Sequence, residues 1–134
     1  MKAIDTNVLI RFLVRDDETQ AKRVYKRLKK AEQEKEALFV PLLVVQETIW
    51  VLESVYKIPR QEILDSIDEL LLMPVIQLEN PAVIVGFIVS ARANNLDLSD
   101  LLIAQSALSS GCESIITFDR KASKSEFFEL LKSR

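Results

Sequence analysis

A chain of 134 residues, 49% of them hydrophobic, has the size of one ordinary domain and enough apolar content to fill its core. The 18 basic and 20 acidic residues nearly cancel to a net charge of −2, which excludes a uniformly basic surface; a polyanionic partner would need a local basic rim. One cysteine, Cys112, excludes an internal disulfide, and no apolar run reaches the roughly 18 residues that a membrane span requires. The start of the chain, MKAIDTNVLIRFLV, carries Asp5 and Arg11 inside its apolar run and lacks a small-residue cleavage site, so it is not expected to act as a secretion signal. The expectation is a cytoplasmic protein forming a single domain over residues 1–134.

Lys2 to Asp5 reads as a first strand, and Thr6 to Val14 has helical apolar spacing at Val8, Leu9, Phe12 and Leu13. Asp16, Asp17 and Glu18 open a second helix that closes on Lys26, Arg27, Lys29 and Lys30, acid first and base last as the helix dipole favours. Ala37 to Val40 is a short strand. Pro41 suits the first turn of a helix carrying Leu42, Val45, Glu47, Ile49, Trp50 and Leu52, with Pro59 at its limit. Arg60 to Met73 is helical and Val75 to Leu78 a strand. Asn80-Pro81 caps an apolar helix over 82–93. A helix entered through Leu98-Ser99-Asp100, with Ser99 as its cap, ends near Gly111. Ser114 to Phe118 is a buried strand. Ser123 and Glu126 then have the spacing of a capping box before a short C-terminal helix. This alternation predicts an α/β protein with a parallel sheet covered on both faces.

Four acids stand out from that frame: Asp5, Glu47, Asp100 and Asp119. Asp5 and Asp119 each end a strand, Asp100 sits in a first helical turn, and Glu47 lies among apolar residues in PLLVVQETIWVL. Parallel α/β sheets gather ligands at the carboxyl ends of their strands, so all four are expected at one edge of one sheet. Taken singly, each has a plainer role. Asp5 can cap a helix, Asp100 can compensate a dipole, Asp119 can begin a turn, and Glu47 can lie on an exposed stripe beside Gln46. Together, like charges at such proximity call for a cation. With no histidine in the chain, an all-oxygen set suits Mg²⁺ or Mn²⁺ rather than zinc. Thr6, Asn7, Asp97, Ser99 and Thr117 are candidate supporting residues, by capping or by orienting a carboxylate; Asp97 also reads as a loop residue. Arg11, Arg15, Arg120, Lys121 and Lys124 adjoin the acids in sequence and are candidate phosphate contacts, although each alone also reads as solvated surface charge.

The blocks IDTNVLIRFLVRDD, VVQETIWVLE, LDLSDLLIAQSAL and ITFDR resemble the signature blocks of PIN domains, most closely the VapC-type toxin ribonucleases, over essentially the whole chain. The resemblance implies a three-layer α/β/α sandwich with a mostly parallel central sheet. It implies an Mg²⁺- or Mn²⁺-dependent endoribonuclease that hydrolyses RNA phosphodiesters with a metal-activated water. It places the metal and catalytic acids on Asp5, Glu47, Asp100 and Asp119. An antitoxin partner and homodimerisation are implied as well. Leu98 stands where many members have Phe, which leaves Asp97 less firmly supported.

Three other readings compete. A phosphoaccepting receiver-like module would need an acidic pair after the first strand, where this chain has Thr6-Asn7 after Asp5. An aspartate-nucleophile phosphatase would need a second Asp at position 7, which is Asn. A non-catalytic interaction protein would keep the fold alone. Trp50 is expected in the core or at an interface, Cys112 as a half-buried filler, and the basic run 22–30 as the solvated face of an amphipathic helix.

Overall fold

The structure, a computed structural model, describes residues 1–132 and divides into two compact units, Met1–Pro81 and Ala82–Arg134. The first unit contains β1 (Lys2–Ala3), α1 (Thr6–Leu13), α2 (Glu18–Gln33), β2 (Leu38–Val40), α3 (Leu42–Ser54), α4 (Arg60–Leu72) and β3 (Ile76–Leu78). Its strands form a parallel sheet in the order β1-β2-β3, with Leu38 opposite both Lys2 and Ile76. In β3 the alternation is clean: Ile76 and Leu78 are buried and Gln77 is exposed. Helix α3 buries Val45, Ile49 and Leu52 at spacings of four and three, and α4 buries Ile63, Ile67 and Leu70 in the same way.

The second unit contains α5 (Pro81–Ala93, entered at the unit boundary), α6 (Leu98–Ser109), β4 (Ile115–Thr117), a 3-10 turn (Ala122–Lys124) and β5 (Phe128–Leu130). Gly86 leaves room for the Gln105 side chain of α6, since a Cβ there would lie 2.5 Å from Gln105 Oε1. Gln105 in turn donates to Ser90 Oγ at 3.1 Å. Strands β4 and β5 form a separate parallel pair. The mixed α/β fold with parallel strands expected from sequence is therefore present, with a three-stranded sheet in the first unit and a two-stranded one in the second.

Several local expectations are corrected. The first strand stops at Ala3 rather than Asp5 and is exposed, since Asp5 has turned to cap α1. Pro41 precedes α3 as its N-cap instead of lying in its first turn. The cap is completed from a distance: the Leu42 N–H donates to Glu79 Oε1 at 2.7 Å, from just beyond β3. Asn80, expected as a simple cap, adopts a left-handed φ of 49°. Strand β4 is only half-buried, and Phe118 beyond it is 77% exposed.

The expected C-terminal helix is a strand. Ser123 Oγ donates to the Arg120 carbonyl instead of closing a capping box with Glu126. The Phe127 N–H donates to Ser125 Oγ, turning the chain into β5. An isolated helix of that length would be marginal, whereas parallel pairing with β4 buries Phe128 among Ala104, Ala122, Ile115 and Phe127. Trp50, expected in the core or an interface, is 56% exposed, so the core placement fails. Cys112 is exposed rather than half-buried.

Alternation along β5 sets the expected mutational pattern. Phe128→Ala should lower unfolding free energy by about 3 kcal/mol, and Glu129→Ala, on the exposed side, by less than about 0.5 kcal/mol. Denaturant titration of both variants checks this, and equal losses would contradict the strand.

Candidate functional site

In the first unit the site begins at the turn between β1 and α1. Asp5 has extended backbone (φ −95°, ψ 179°), and its Oδ1 accepts the Val8 N–H at 3.1 Å. The cap is thus Asp5 itself rather than Thr6 or Asn7, which occupy the first turn of α1. Asp5, Asn7, Val8, Arg11, Gln20 and Arg23 line a cleft of about 290 Å³. Glu47 projects from the second turn of α3 and is exposed, so it is not a buried carboxylate needing rescue. It shares a face with Leu43 and Trp50, both well exposed. The buried polar side chain of this helix is its neighbour Thr48, whose hydroxyl finds no hydrogen-bond partner among the described residues.

In the second unit, Asp97 rather than Ser99 caps α6, its Oδ1 accepting the Ser99 N–H at 3.4 Å. Asp97 is therefore more than a loop residue. Asp100 follows in the first turn, half-buried. Burial first, and then the charges of Asp97 and Asp119, raise its carboxyl pKa above the ordinary value. Asp119 follows β4, and its Oδ1 accepts the N–H groups of Lys121 at 2.9 Å and Ala122 at 3.1 Å. Thr117 Oγ1 accepts the Asp119 N–H at 3.0 Å. Thr117 thus holds the backbone that presents Asp119, a positioning contact made through the amide and not the carboxylate.

The candidate phosphate contacts differ in their freedom. Arg11 is engaged on three sides, by Gln20 Oε1 at 2.6 Å, Tyr56 Oη at 3.2 Å and Asp16 Oδ1 at 3.3 Å, while Tyr56 also donates to Asp16. The Tyr56 hydrogen bond is the main reason that its guanidinium pKa is raised further. Arg11 thereby ties α1 to α2 and to the end of α3. Arg15 lies 4.2 Å from the centre of the Tyr25 ring, a cation–π contact. Arg120 is exposed, and Lys121 Nζ donates to the Asn95 carbonyl at 3.3 Å. Lys121 and Lys124 line a second-unit cleft of about 430 Å³ with Asn94, Asn95, Leu96 and Ser125. Sequence reading missed Glu79, Gln20, Tyr56 and Thr48, because each acts through a partner far along the chain or through burial alone.

Neither unit by itself, among the described residues, holds three or more Asp, Glu, His or Cys side chains grouped to bind a metal ion. The donor chemistry still fits a hard divalent cation. Every candidate ligand is a carboxylate oxygen, and the mutual repulsion felt at Asp100 is what such a cation would relieve. The PIN domain family model matches residues 2–127. No protein of curated function matches the chain.

The raised Asp100 pKa has a definite consequence for stability without metal. The folded state disfavours its charged form. The cost is absent below the ordinary carboxylate pKa, grows as pH rises through the folded-state pKa, and is complete at neutral pH. Asp100→Asn should therefore raise the melting temperature in chelator at pH 7, with the gain vanishing near pH 3 to 4. A pH series of thermal melts tests the sign, and a lowered melting temperature at pH 7 would refute it.

Proposed function

The chain belongs to the PIN domain family, whose members are as a rule metal-dependent nucleases, and on that premise we propose that it is an endoribonuclease of the VapC toxin type. Asp5, Glu47, Asp100 and Asp119 are its metal-holding and catalytic acids. The two units would work together as one nuclease domain. The observation that most supports this is the setting of Asp100, where burial first and then the charges of Asp97 and Asp119 push the carboxyl pKa up, a cost that a bound cation would relieve.

The chain's own residues divide the labour. Asp5 and Asp119 each commit one carboxylate oxygen to backbone N–H groups, which fixes the direction of the other. Thr117 accepts from the Asp119 backbone and Asp97 caps the start of α6, so each acts as a positioning residue for a neighbouring acid. Mg²⁺, or Mn²⁺, when bound would supply a water of lowered pKa and neutralise charge on the phosphoryl oxygens. No histidine exists to act as general base, so the acids carry both the positioning and any proton acceptance. This chemistry does not use the ribose 2′-hydroxyl, and preference for RNA rests on its shape and contacts.

Exposed apolar side chains support the proposed partners. Leu43, Trp50 and Val55 on and after α3, and Val85 and Val89 on α5, are well exposed. A homodimer interface or an antitoxin segment would cover such side chains. Among the described residues no helix is long and apolar enough to cross a membrane. With the lone Cys112, that is consistent with the cytoplasmic location we assign. A non-catalytic PIN-fold module is the rival reading, favoured by the capping roles that Asp5 and Asp119 already fill.

Asparagine substitution separates the two. Asn keeps the accepting oxygen that Asp5 and Asp119 use as caps, so Asp5→Asn and Asp119→Asn should retain the wild-type fold and melting temperature. Mg²⁺-dependent cleavage of RNA should fall about a hundredfold or more in each, and chelator should abolish it in the parent. Wild-type rates in both variants would rule out the catalytic assignment.

A further inference from the structure

The solvent face of α2 is more basic than its surroundings require. A third of the chain's 18 Lys and Arg residues fall between positions 22 and 30, in a protein whose net charge is −2. Arg23, Lys26, Lys29 and Lys30 are exposed, and among the described residues none has a carboxylate within ion-pair distance. Arg27 is different. It donates to Glu36 at 2.6 Å, so it holds the floor of the surface rather than offering free charge. Together these side chains and Gln33 line a shallow groove of about 710 Å³. Arg23 lines this groove and also the cleft that contains Asp5 and Gln20. Positions 20, 23, 27 and 30 recur at three- and four-residue spacing, on one face of the helix and over about 15 Å of its length.

We propose that this face of α2 is a track for the RNA backbone, running from the Asp5 cleft through Arg23 to Lys26 and Lys30. The proposal rests on the nuclease reading given above and adds to it where the strand lies beside the first unit. A polyanion approaching acids such as Asp5, Asp16 and Asp17 is repelled unless cations flank its path, and the overall charge of the chain offers no long-range attraction. Unpaired cations continuous with the acid cleft meet that need. Contacts of this kind follow the phosphates and not the bases, so the track binds without regard to sequence. An acidic protein segment is the other polyanion the face could hold. Continuity with the Asp5 cleft favours RNA, since a strand held on α2 has to pass Arg23 to reach those acids, whereas an acidic segment held on α2 has no need to reach them.

The test measures binding of the full chain to a fluorescein-labelled oligouridine in chelator, where cleavage does not occur, across a salt series. Arg23→Gln/Lys30→Gln should weaken binding about tenfold at low salt and reduce the slope of log K against log salt by roughly 0.7 for each charge removed. The charge-matched control Lys57→Gln/Lys132→Gln should change neither. Unchanged affinity and slope in the α2 variant would overturn the proposal. So would an oligoglutamate of equal charge that binds as tightly as oligouridine and loses affinity in the same variant, which would give the face to an acidic protein segment. Because no cleavage is measured, this outcome is independent of the Asp5→Asn and Asp119→Asn assays, and either idea can fail without the other.

Discussion

A carboxylate has two oxygens, and among the described residues the fold engages one of them in Asp5 and one in Asp119. Each Oδ1 is held by backbone N–H groups that a helix or turn would otherwise leave without partners. The side chain is thereby oriented with little rotamer freedom left to lose when a ligand arrives. Capping and cation binding are therefore compatible in one residue. The capping role also lets the proposed cation-binding role be separated from it, because asparagine keeps the accepting oxygen and removes the charge.

Charge is likewise unevenly distributed along α2 and the turns that lead into it. Acidic residues at the turn before α1 and at the start of α2 give way to unpaired basic ones along the helix. Part of that polarity is ordinary dipole compensation. The dipole, however, rewards charge only in the last turn, and Arg23 and Lys26 lie well before it. Helix stability does not explain four exposed cations that lack carboxylate partners among the described residues, whereas the Arg27–Glu36 pair is adequate local structure on its own.

Where sequence reading went astray, the cause was a contact distant along the chain. Ser123 and Glu126 carry a valid helix-start pattern, but β4 offers the segment a parallel partner and Phe128 a buried seat, and pairing outweighs a marginal helix. Glu47 sits in an apolar stretch and is nevertheless exposed, because α3 buries the face of Val45, Ile49 and Leu52 and turns residues 43, 47 and 50 outward. Trp50 goes with it. An apolar neighbourhood in sequence does not identify a helix face when the apolar residues run all the way round.

The residue order alone determined the six α-helices among the described residues, the first four strands to within a residue or two, their parallel sense and the resemblance to PIN domains. These follow from periodicity, caps, and the need of a βαβ crossover to return in the same direction. Tertiary structure decided what Asp97, Ser99 and Thr117 do, since a cap or a positioning contact depends on which N–H is within reach. It decided that Arg11 is drawn into a network with Asp16, Gln20 and Tyr56, forty-five positions away at its furthest. It decided as well that the last strand exists at all, where a helix was expected. Local spacing carries the energy of a turn or a helix face, whereas burial, charge crowding and strand partnership depend on residues that the chain brings together only by folding.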